Sequence, residues 1–114
     1  MSELTTKRCI PCEGGMAPFD ATIMKTHLAQ VECWCEQVVG EEIARDYKFK
    51  NYYQTMAFVN ALAWTAHYEN HHPDLEVGYN HCLVRYSTHA IGGLSENDFI
   101  CAAKVNQLFA HNAE

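Results

Sequence analysis

The chain has 114 residues, 48% of them hydrophobic, six cysteines and a formal net charge of −6. That length supports one compact domain with a modest core, and the acidic balance, with only eight scattered Lys and Arg, excludes a nucleic-acid surface, which needs clustered basic side chains. No apolar run approaches the length of a membrane span, and the polar stretch from Met1 to Arg8 has no apolar segment behind it, which points to the cytoplasm and to reduced thiols.

Residues 1–17 read as an irregular arm, punctuated by Pro11, Gly14 and Gly15, and residues 18–114 as a single domain. Asp20 can cap a first helix, with Phe19 and Met24 placed as a hydrophobic staple and Ile23, Met24, His27, Leu28 and Val31 on one face. Residues 34–39 and 43–49 read as strands joined by Gly40-Glu41-Glu42. Ile43, Tyr47 and Phe49 fall on one side of the second, together with Arg45, which places that charge near an edge. Asn51 caps a longer helix to about Glu69, with a buried stripe of Met56, Val59, Leu62, Ala63 and Ala66. Phe58, Ala61 and Trp64 lie outside the stripe, which suggests a surface for self-association.

Pro73 prevents further helix. Leu75, Val77 and Tyr79 alternate as a half-buried strand, Cys82, Val84 and Tyr86 as another, with Asn80-His81 as a tight connection. Gly92-Gly93 makes a loop. Ser95 caps a last helix with Asp98 completing a capping box, and Cys101, Val105 and Leu108 form its apolar face. The order is α-β-β-α-β-β-α, an α+β fold with a four-stranded antiparallel sheet covered by helices.

His67, His71, His72 and His89 are the residues with chemistry to offer. Imidazole gives or takes a proton near neutral pH, and His71-His72 sits at a helix end fixed by Pro73. His27, His81 and His111 read as ordinary polar residues. His67 and His71 have the spacing that lets two imidazoles reach one ion, but Tyr68 follows His67 where a zinc protease needs Glu. Cys9-x-x-Cys12 and Cys33-x-Cys35 could together supply four thiolates to a structural zinc, although the second pair is one residue short of the usual spacing. From the residues alone, metal binding and proton transfer both stay open.

The run His67-x-x-x-His71-His72-Pro73, then five residues to Tyr79, nine to His89 and eight to Asp98, resembles the signature of the pterin-4a-carbinolamine dehydratases. Residues 31–34, 47–51 and 88–98 resemble further segments of that family, and residues 9–15 look like the arm of its bacterial and organellar branch. The resemblance implies loss of water from 4a-hydroxytetrahydrobiopterin to give quinonoid dihydropterin, recycling pterin for aromatic amino-acid hydroxylases. It implies His71, His72 and His89 as catalytic residues, with His71 and His89 as the acid/base pair. By the same carry-over, His67, Asn70, Trp34, Pro73, Ser87 and Thr88 bind the substrate. Pterin is then the substrate, with no cofactor and no metal, and the expected partner is a second copy, in a homodimer or homotetramer through the second helix. Two departures stand out: His67 replaces a frequently acidic residue, and Leu75 replaces the Trp of animal members. Asp98 keeps its place, but capping suffices to explain it. Animal relatives also serve as dimerisation cofactors for a transcription factor, so a binding module is the alternative reading.

Overall fold

Helix starts are set by side chains that accept otherwise unpaired backbone N–H groups. In the computed structural model, which describes residues 3–10, 17–38 and 40–112, Asp20 Oδ1 accepts from Ile23 N at 2.8 Å and opens α1, Ala21–Leu28. Asn51 Oδ1 accepts from Gln54 N at 2.9 Å and opens α2, Tyr52–Glu69. Before α3, Glu96–Asn112, the backbone N–H of Ser95 donates to Asp98 Oδ2 at 3.0 Å, the reciprocal half of a capping box. Between the helices run β1, Cys35–Val38, β2, Glu42–Lys48, β3, Asp74–Val77, and β4, His81–Tyr86. All pair antiparallel, in the order β1-β2-β4-β3. The expected order of elements and the antiparallel sheet are therefore present.

Register explains which strand face meets the helices. Ile43 pairs with Tyr86 and Tyr47 with Cys82, and these four side chains are buried. Arg45 shares their side, just beyond Ala44, where pairing with β1 ends. Its guanidinium lies 4.4 Å from the Tyr47 ring centroid and donates to Asn106 Oδ1 at 2.7 Å, so the charge rests on aromatic faces at the sheet margin. Leu75 is only half-buried and Val77 and Tyr79 are exposed, because β3 is the outer strand and little packs beyond it. The alternation expected there is real, but of the three only Leu75 packs against the core. The connection to β4 is also longer than expected, comprising Gly78, Tyr79 and Asn80.

The stripe expected on α2 is displaced. Its buried residues are Thr55, Phe58, Leu62, Ala66 and Glu69, whereas Ala63 is exposed and Met56 and Val59 are half-buried. Phe58 is a core residue, in contact with Tyr47 and Phe49, and not part of an outer surface. Two polar residues carry the true stripe because each is partnered. Thr55 Oγ1 bonds to Asn51 O and Tyr79 O, and Glu69 pairs with Lys104 and Arg8. A stripe traced through apolar residues alone skips both and loses its phase.

The first described residues of the arm are more regular than their composition suggests. Glu3–Thr6 form a turn of 3-10 helix, Leu4 is buried, and this turn lies along α3. Among the described residues no helix is long and apolar enough to cross a membrane.

Candidate active site

Local backbone chemistry places the two adjacent histidines. Asn70 adopts the left-handed conformation (φ 52°) that ends α2, its N–H bonding to His67 O and that of His71 to Ala66 O, both at 3.1 Å. This is the Schellman pattern, for which Asn is one of the few suitable residues besides Gly, and Pro73 follows at the usual distance. The sharp exit turns the His71 ring inward and leaves His72 exposed.

The His71 ring stacks on Tyr86, with centroids 5.4 Å apart and planes 9° from parallel. Its Nε2 lies 2.6 Å from Asp98 Oδ1. Burial on its own would lower the pKa of His71; the hydrogen bond and charge of Asp98 outweigh that and hold it above the ordinary histidine value. Asp98 is itself fully buried. Its second oxygen accepts from Thr88 Oγ1 at 2.7 Å and from Ser95 N at 3.0 Å.

Through Thr88 the same carboxylate reaches the segment that carries His89. Thr88 N donates to Gly93 O at 2.9 Å, Ile91 N to Thr88 O at 3.2 Å, and Gly92 takes a positive φ of 69°. The result is a closed loop holding His89–Ile91 as a turn of 3-10 helix. The His89 side chain lies outside the described residues. Ser87 and Thr88 line one wall of a cleft of about 170 Å³, with Glu41, Glu42, Gly92 and Gly93 among the rest. Asp98 is thus the joint between the His71 turn and the His89 loop, a role that helix capping alone would not reveal.

The remaining candidates divide plainly. Pro73 and Asn70 belong to the His71 turn. His67 is exposed and its ring lies beside Trp64, 6.0 Å between centroids, not against Asp98. Trp34 is buried in the core, where its Nε1 donates to Asn106 Oδ1 at 3.0 Å and its ring packs against Tyr47 and Tyr86; Tyr86 contacts both it and His71. His27 and His81 have local partners, Ile23 O and Asp46. Of the four cysteines considered for zinc, Cys12 lies outside the described residues. Among those described, no group of three or more His, Cys, Asp or Glu is arranged to hold a metal ion, and Cys9 lies beside Cys101.

A family profile, Pterin 4 alpha carbinolamine dehydratase, matches residues 17–108. A protein of Nitrosospira multiformis is 56% identical over 109 residues, covering 96% of this chain and 95% of its own. One of Nitrosomonas europaea is 58% identical over 108 residues, covering 94% of each. Both are provisionally named pterin-4-alpha-carbinolamine dehydratases. The fold is similar to that of a transcriptional coactivator/pterin dehydratase from Brucella melitensis, with a TM-score of 0.76 and 29% identity over 79% of this chain and 96% of that one. It is also similar to a pterin dehydratase-like RuBisCO assembly factor of the alpha-carboxysome, with a TM-score of 0.60 and 27% identity over 68% of this chain and 89% of that one. On the extent of the profile match and the identity to these relatives, the chain belongs to the pterin-4-alpha-carbinolamine dehydratase family.

Proposed function

We propose that the chain removes water from a 4a-hydroxytetrahydropterin, giving quinonoid dihydropterin for reuse by aromatic amino-acid hydroxylases. The observation that carries this reading is Asp98, which holds the ring of His71 and the loop bearing His89 in one hydrogen-bonded unit. Elimination needs an acid to protonate the departing 4a-hydroxyl and a base to take the proton from ring N5. His71 suits the acid, since Asp98 keeps it protonated further into the neutral range. With Nε2 held by Asp98, the other ring nitrogen is the one left for proton exchange, and His89 is assigned as the base. His72, the exposed residue next to His71 in the chain, orients the pterin, with Ser87 and Thr88 contributing at the cleft. The proton and the hydroxide leave as water and no electrons are transferred, so this chemistry calls for neither cofactor nor metal. His71→Ala and His89→Ala should each lower the rate of 4a-hydroxytetrahydropterin decay by about two orders of magnitude. Unchanged rates in both would remove the assignment.

A second reading is favoured by the outer face of α2. Trp64 is 68% exposed, and Tyr53 and Tyr68 are exposed with it, more aromatic surface than a lone helix usually shows. This face is assigned to self-association in a homodimer or homotetramer; capture of another protein, as the names of two structural relatives suggest for those proteins, is the alternative. Trp64→Glu should lower the mass measured by analytical ultracentrifugation, and a monomeric wild type would rule out self-association.

A further inference from the structure

Cys9 and Cys101 are thiols that the proposed chemistry leaves unused, and the fold brings them together. Their Sγ atoms are 3.5 Å apart, although the residues are separated by 92 positions in the chain. Cys101 is buried in α3 and Cys9 is half-buried on the arm. Contacts that do not involve sulfur fix the arm at this point. Cys9 N–H donates to Glu69 Oε1 at 2.8 Å, Ile10 N–H to Asn97 Oδ1 at 3.1 Å, and Asn97 Nδ2 to Ile10 O at 2.6 Å. By contrast, Cys33 and Cys35 are exposed.

We propose that Cys9 and Cys101 form an intramolecular disulfide when the chain meets a small-molecule disulfide such as oxidised glutathione, stapling the arm to α3 beside His71. Cys9, the accessible member, attacks one sulfur of the oxidant and releases one molecule of thiol. Cys101 then attacks the Cys9 sulfur of the mixed disulfide and releases the second. Two electrons and two protons pass to the oxidant, and two equivalents of thiol are the only by-product. Bond formation draws the sulfurs from 3.5 Å to about 2.05 Å, a movement that falls to the arm because α3 is packed on both sides. The hydrogen bond with Cys101 and burial together push the Cys9 thiol above its ordinary pKa, so the first exchange is slow at neutral pH.

The test uses the whole purified chain incubated with oxidised glutathione. Apart from any glutathione added to the exposed Cys33 and Cys35, its mass should fall by about 2 Da and a proteolytic digest should contain a Cys9–Cys101 peptide pair. Thermal unfolding should move upward by about 10–20 °C, because a long loop is closed in the unfolded chain. Dithiothreitol should reverse all three changes, and Cys9→Ser should abolish them; Cys101→Ala is the second control. A bridge joining any other pair, glutathione retained on Cys9 with Cys101 still free to alkylate after unfolding, or two unreacted thiols would each overturn the proposal.

Discussion

Replacing Asp98 by Asn tests the centre of the site with almost no change of shape. The carboxylate accepts three hydrogen bonds, from His71, Thr88 and the Ser95 amide. An amide can accept at only one of its two ends. The Ser95 N–H cannot become an acceptor, whereas the His71 ring can, by moving its proton to Nδ1. In Asp98→Asn the new side chain therefore turns its oxygen toward Ser95 and its NH2 toward His71, reversing the His71 tautomer and removing the charge that favoured imidazolium. The titration of His71 should then fall below that of the wild type, since burial alone lowers it. Loss of a charged, buried hydrogen bond costs about 2–3 kcal/mol. With an unfolding entropy of about 0.24 kcal/mol/K for a chain of this size, the melting temperature drops by about 8–12 °C. The sign of the pH dependence follows from the raised pKa in the folded state. The part of that stabilisation carried by the charged His71–Asp98 pair is complete below about pH 6.5, the unfolded histidine value, and is lost as pH rises through the folded value, so the gap between variant and wild type is widest in acid. The proposed reaction should slow by about 100-fold. The imidazole signals of His71, followed by NMR against pH, decide the matter: a titration midpoint at or above that of the wild type would refute this account.

Two further substitutions separate backbone from side-chain roles. Asn70→Gly should match the wild type in stability, whereas Asn70→Ala should lose about 1 kcal/mol in urea unfolding because of the left-handed φ; a stable Asn70→Gly with reduced turnover would instead reveal a substrate contact. Tyr86→Phe keeps the ring stacked on His71 and removes a buried hydroxyl that meets no nitrogen or oxygen partner among the described residues and has only the weakly bonding thiol of Cys101 beside it. It should gain about 1 kcal/mol in the same measurement, and a comparable loss would show that the hydroxyl is satisfied.

What the sequence made legible were features decided within a few residues. Asp20 and Asn51 as caps, Pro73 as a stop, and the alternation of Cys82, Val84 and Tyr86 are local, and all appear in the fold. The phase of α2 was not legible, because Thr55 and Glu69 are polar residues whose burial depends on partners elsewhere in the chain. The site divides in the same way. His71 and His72 stand out through composition and Pro73, but the pairing of His71 with Asp98 spans 27 residues and has no local signature. Asp98 at the third position of a helix already has a sufficient explanation as a cap. The contact between Cys9 and Cys101 is more distant still, 92 positions apart in the chain, and no local pattern signals it.

Capping and chemistry share one carboxylate, and that has a dynamic consequence. If the first turn of α3 opens locally, Asp98 releases Ser95, Thr88 and His71 together, while the paired strands of the sheet remain intact. Fraying of a single helix end is then equivalent to dismantling the site. Amide hydrogen exchange at Ser95 becomes a direct measure of the fraction of molecules that are assembled at any moment, without substrate and without turnover.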